Sequence, residues 1–146
     1  MYASKSLSLP SAILLVLLVV VGGCGPSRPD TVPISGKITL DGGSWPNEAM
    51  LFFGCVEPAE GYPKRTGKAI VAKDGSFKVG TFGNETDGLM PGKYQVYVMC
   101  EGVVNGKTVS YVPDKYQIGS QSGMELEVEP GSQAIDNLLW DVPSKK

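Results

Sequence analysis

An all-β domain is what this sequence predicts: a single antiparallel β-sandwich of about seven to eight short strands. Three observations predict it. Nineteen glycines and eleven prolines are scattered along the chain rather than clustered, the texture of short strands separated by tight turns. Apolar residues recur with a period of two in one run after another. No stretch beyond position 33 carries a convincing helical period, and the roughly 113 residues from Ile34 onward suit one domain.

The elements follow in order. In Ile34–Asp41, Ile34, Ile38 and Leu40 share a phase with Gly36, while Ser35, Lys37 and Thr39 share the other, as in a half-buried strand. Asp41-Gly42-Gly43 supplies a turn. Ala49–Val56 is apolar on both phases, which predicts a central strand. Arg65–Lys73 makes a third strand, and Asp74-Gly75 joins it to Ser76–Gly80 as a two-residue hairpin. Asn84–Gly92 is a loop closing on Met90-Pro91-Gly92. Lys93–Cys100 follows with Tyr94, Val96 and Val98 in phase. Asn105-Gly106, a strong hairpin signal, links it to Lys107–Val112. Val112–Tyr116 reads as a connecting loop. Met124, Leu126 and Val128 alternate with Glu125, Glu127 and Glu129, and Pro130-Gly131 turns into a last strand with Leu138, Trp140 and Val142 in phase.

Composition narrows the chemistry. The chain has no histidine, which excludes Ser-His-Asp and Cys-His catalysis and His-ligated zinc. Catalysis by paired carboxylates or by a Ser-Lys pair stays formally open, but no spacing of acids or serines asks for it. No cofactor or metal is expected: Asp41, Asp74 and Asp87 each precede glycine as turn formers and compose no calcium loop. The mildly acidic balance offers no basic footprint for nucleic acid or anionic lipid.

Residues 1–23 have another character. They hold one cation, Lys5, and no acid, then ten unbroken apolar residues, Ala12–Val21, and then Gly22-Gly23-Cys24. A charged start, a short apolar run and small residues before a cut point describe a secretory signal. The run is too short to span a bilayer, which takes about 20 apolar residues. With Cys24 directly after the small pair, the segment resembles the lipobox of bacterial lipoproteins. That resemblance implies cleavage before Cys24 and acylation of its thiol, palmitate being a typical chain. Two or three acyl chains there anchor a protein stably, where one does so only marginally. The expectation is a membrane-anchored lipoprotein of the cell envelope, facing the periplasm or the exterior. Gly25 stands where some inner-membrane lipoproteins carry Asp, which favours the outer membrane. Cleavage leaves 12 basic against 15 acidic residues. Residues 24–33, with three prolines, read as a lipidated cysteine followed by a tether; residues 34–146 are the folded domain.

The order of turns carries a second resemblance. Ile34-Ser-Gly-Lys-Ile-Thr-Leu-Asp-Gly, Pro46-Asn-Glu-Ala-Met-Leu-Phe-Phe, Lys73-Asp-Gly-Ser-Phe-Lys-Val and Leu89-Met-Pro-Gly-Lys-Tyr-Gln-Val-Tyr-Val follow one another. Together they resemble the carboxypeptidase regulatory-like domain, a prealbumin-like (transthyretin-like) Greek-key β-sandwich. The likeness spans Ile34 to Val142. Val112-Pro-Asp-Lys-Tyr and Ser122–Gly131 resemble a version found in small planctomycete-type lipoproteins. The resemblance implies the fold and a non-catalytic accessory role, not an activity. Hydroxyisourate hydrolases of related fold use histidines, which this chain lacks. Surface-pilin sandwiches of similar pattern join a lysine to an asparagine with the help of an acid. Lys37 and Asn137 lie near the corresponding places, but Val98 stands where the acid would.

Two further groups are candidates for a role. Cys55 and Cys100 each end a strand in phase with core residues, and an oxidising compartment favours a disulfide between them. Such a bridge over about 45 residues would contribute roughly 3–4 kcal/mol; two unpaired buried thiols are the alternative. Trp45, Tyr62, Tyr111 and Tyr116 lie in or near loops and could form a sugar-stacking platform, or anchor those loops to the core. The expected function is therefore a non-catalytic, membrane-anchored structural or interaction module. The alternative is a carbohydrate- or peptide-binding module serving a cell-surface enzyme.

Overall fold

The computed structural model describes residues 28–83 and 86–146, and they form an all-β structure. Among the described residues there are eight strands: β1 (Ile34–Leu40), β2 (Ala49–Pro58), β3 (Gly67–Val71), β4 (Ser76–Lys78), β5 (Gly92–Val104), β6 (Lys107–Ser110), β7 (Met124–Val128) and β8 (Ile135–Val142). They join in one curled, mixed sheet of order β6-β5-β2-β3-β4-β1-β8. The first half of β5 pairs β2 on one edge and β7 on the other, whereas its last four residues pair β6. The central position expected for β2 holds, with β3 and β5 on its two sides.

One pair departs from the antiparallel expectation. β1 and β8 run parallel, Ile34 beside Ile135 and Leu40 beside Val142. The cause lies in β7, which ends opposite Gly92, at the same end of the sheet where β1 begins. After the Pro130-Gly131 turn the chain can only enter beside β1 in the same direction.

Period-two patterning builds the core. Leu51 and Phe53 of β2, Val96 and Val98 of β5, Ile38 of β1 and Val79 after β4 are wholly buried. Phe77 and Tyr94, the first large residues after their turns, are buried as well. The sheet curls far enough for its ends to meet. Trp140 of β8 packs on Phe53 of β2 with ring centroids 6.3 Å apart, and on Phe77 of β4 at 6.0 Å. Just past β8, the Lys145 amide donates to the Tyr111 carbonyl beyond β6 at 2.8 Å.

Turns and short helices refine the sequence reading. Asn105 and Gly106 both have positive φ (51° and 75°), as the expected two-residue hairpin requires. The β3–β4 connection is instead a three-residue loop. Ala72 N donates to Ser76 O and Gly75 N to Ala72 O, with Gly75 left-handed at φ 91°. A side chain on Gly75 would strike the Ile38 carbonyl. β3 is shorter than the expected Arg65–Lys73. The expected loop after Val112 holds a 3₁₀ turn (Asp114–Gln117) and a one-turn helix α1 (Gly119–Ser122). Four residues are too few to show a period in sequence. Ser122, a buried polar residue, knits α1 to the sheet: its hydroxyl donates to Val96 O at 2.5 Å and accepts from Met124 N at 3.1 Å.

Strand register defines two ends. The entry end gathers residues 28–33, the β2–β3 loop, the segment between β4 and β5, and the β7–β8 turn. The far end gathers the β1–β2 loop, the β3–β4 turn, the β5–β6 hairpin and the residues after β8.

Candidate functional site

Cys24 and its lipobox lie outside the described residues. The chain enters at Arg28, and Val32 already exchanges both backbone hydrogen bonds with Leu89, at 2.7 and 2.9 Å. Fixed contacts therefore begin ahead of Ile34, inside the segment the sequence reads as tether.

The expected disulfide is corrected. Cys55 and Cys100 are both free and buried. They lie on adjacent strands, but Cys100 faces Ala49, whereas Cys55 faces Tyr94. Six residues of register, about 3.4 Å each, set them roughly 20 Å apart. A disulfide needs Cα atoms within about 7 Å. The shared inward phase was read correctly, but the opposite run of the two strands carries the cysteines to different ends. Burial pushes the Cys100 thiol above its ordinary pKa, so it is a poor nucleophile at neutral pH. Burial likewise raises the Tyr94 phenol, which donates to Met90 O at 2.7 Å.

The four aromatics do not form a platform. Trp45 is 1% exposed, with its indole N–H donating to Ile38 O at 2.8 Å. It plugs the far end of the core and has no open face for a sugar. Tyr111 is half-buried at the same end, its ring resting over Gly102, where any side chain would meet Tyr111 Oη and Asn47 Nδ2 at 2.6 Å. Tyr116 packs on the core from the 3₁₀ turn, with the Lys115 ammonium 4.6 Å from its ring centre. Tyr62 stands apart, in the β2–β3 loop of the entry end, where its amide donates to Ala59 O. Trp45, Tyr111 and Tyr116 anchor their own segments to the core, the blander of the two roles the sequence leaves open.

Among the described residues, one wide-open groove of about 570 Å³ is lined by Ser35, Lys37, Ile70, Ser76, Lys78 and Leu139, among others. A smaller groove of about 200 Å³ brings together Glu57, Lys93, Glu127 and Glu129. There Lys93 bonds Glu57 at 3.1 Å, and this contact raises the Lys93 pKa. All of it is open to water, where such a pair contributes little. Among the described residues no three acidic or cysteine side chains converge as a metal site. Lys37 and Asn137 lie on adjacent strands but are exposed, and Val98 is wholly buried.

One cluster at the entry end was not foreseen. Phe82, half-buried after β4, lies beneath two guanidinium groups, Arg28 at 5.7 Å and Arg65 at 5.1 Å from its ring centre. Asp87 turns back into the same loop and accepts from the Thr81 and Phe82 amides at 2.6 and 3.0 Å. The three members come from separate loops, so only the tertiary fold brings them together.

No family model matches the chain, and no curated protein matches it. Among solved structures, the chain is similar to part of a 9R-lipoxygenase from Cyanothece PCC8801, with a TM-score of 0.37 and 11% identity. The match covers 81% of this chain and 18% of the lipoxygenase chain. So faint a likeness carries no argument about activity.

Proposed function

We propose that this chain is an extracytoplasmic lipoprotein, held in the membrane by acyl chains on Cys24, whose β domain serves as a non-catalytic structural or interaction module of the cell envelope. The observation that carries the reading is the run Ala12–Val21 followed by Gly22-Gly23-Cys24. The lack of histidine supports a role other than catalysis. The domain is a prealbumin-like Greek-key sandwich in this reading, β1, β4 and β8 forming one wall and β2, β5 and β7 the other. The Phe53–Phe77–Trp140 contacts between those strands support that description. The parallel β1–β8 pair is then the seam where first and last strands meet. A glycan-binding role loses its best residue with the burial of Trp45. Intact-mass analysis of the protein extracted from membranes tests the anchor: the first residue should be Cys24, carrying at least two acyl chains. An unmodified chain, or one cut elsewhere, would refute it.

A further inference from the structure

We infer that the entry end of the domain is a phospholipid-contact surface, with Phe82, Arg28 and Arg65 set against the headgroup layer. The inference rests on the lipid anchor proposed above and adds an orientation to it. Only residues 25–27 separate Cys24 from Arg28. Even fully extended, four residue steps span no more than about 14 Å. The Arg28 guanidinium lies 5.7 Å from the Phe82 ring centre, and Val32 exchanges both backbone hydrogen bonds with Leu89. Val32, the first residue held by backbone hydrogen bonds, is eight steps from Cys24, a reach of no more than about 29 Å, so the anchor makes the entry end the end of the domain nearer the bilayer.

The residues it brings to the bilayer fit that surface. An aromatic ring flanked by cationic side chains suits the membrane–water boundary, where rings sit among headgroups and guanidinium groups meet phosphate. Arg28 and Arg65 are exposed. Asp87, which could oppose them, spends its carboxylate on the Thr81 and Phe82 amides. Asp30, Glu57, Glu60, Glu127 and Glu129 stay exposed at this end, so the contact is a local one of ring and guanidinium, not the pull of a basic face. The far end, with the β5–β6 hairpin, then points away from the membrane. β5 alone, with 13 residues, is about 44 Å long.

The test uses the acylated protein extracted from its own membrane and reconstituted into vesicles of phosphatidylcholine, with or without phosphatidylglycerol. Nitroxide is placed on Lys64→Cys at the entry end or Lys107→Cys at the far end, both exposed positions; unsubstituted protein controls for labelling of Cys55 and Cys100. Relaxation by nickel chelated to lipid headgroups should be at least fivefold greater at position 64. It should rise further with phosphatidylglycerol, and Arg28→Gln with Arg65→Gln should abolish that rise. Equal relaxation at both positions, or more at 107, with the protein still floating with vesicles, overturns the orientation and leaves the anchor standing. A phosphatidylglycerol response unchanged in the double variant overturns the arginine contact. Failure to float with vesicles at all removes the anchor, and this inference with it.

Discussion

Phe53 and Trp140 touch although they lie four strands apart in sheet order, their rings 6.3 Å apart and tilted by 47°. That contact closes the curl. Phe77 completes the cluster, nearly parallel to Trp140 at 4° and 6.0 Å. Aromatic pairs at such spacings add to the area they bury. Trp140→Ala should therefore cost about 3 kcal/mol, seen as a lower urea midpoint with an unchanged slope. A loss under about 1 kcal/mol would mean that the curl does not depend on this cluster.

The cysteine register leads to a redox prediction. With the two thiols roughly 20 Å apart, folded protein should be indifferent to reductant. Cys55 and Cys100 should stay slow to react with a thiol reagent until the protein is unfolded, then titrate as two equivalents. A midpoint that drops when reductant is added would restore the disulfide and contradict the pairing of Cys100 with Ala49.

Trp45 should behave as a core residue. Its indole is buried and its one donor is satisfied by Ile38 O. Trp45→Ala is expected to destabilise by about 3–5 kcal/mol. Trp45→Phe, which keeps the bulk and strands the Ile38 acceptor, should cost about 1–3 kcal/mol. The matching readout is a blue-shifted tryptophan emission lost in Trp45→Phe. Emission typical of a solvated indole would place this ring at the surface and reopen the sugar-binding role.

Two exposed aspartates make the far end acid-sensitive. Hydrogen bonds from Ser144 hold the Asp41 carboxyl below its ordinary pKa of 3.8, and bonds from Ser76 do the same for Asp74. A carboxylate whose pKa is lower folded than unfolded stabilises the protein above the unfolded value. That contribution is lost as pH falls through the folded value. The thermal midpoint should thus decline as pH drops below 3.8, and Asp41→Asn with Asp74→Asn should flatten part of the decline. An identical pH profile in the double variant would show that neither bond matters to stability.

How much of this was legible in sequence differs by kind of feature. β1, β7 and β8 were readable because each alternates against water, β2 because it is apolar on both phases, and the Asn105-Gly106 turn because its left-handed pair needs those residues. The parallel β1–β8 pair was not, since strand phase says which side faces inward but not which neighbour a strand takes. The same gap misled the disulfide expectation: both cysteines point inward, but the register that separates them is a tertiary fact. Trp45 looked like a loop residue because its neighbours Gly43, Pro46 and Asn47 are turn formers. It does lie in the β1–β2 loop, and what the sequence does not show is that its ring turns into the core and its indole N–H bonds the Ile38 carbonyl of β1. The cluster of Arg28, Arg65 and Phe82 leaves no trace in sequence, each member being ordinary in its own loop.

The central claim is that Cys24 carries the lipid that holds this protein at a membrane. Metabolic labelling with palmitate tests it most directly, comparing the wild-type chain with Cys24→Ala in a bacterial host. Label is expected on the wild-type protein and absent from the variant, with Cys55 and Cys100 unchanged in both. Equal incorporation in the two proteins would contradict the claim.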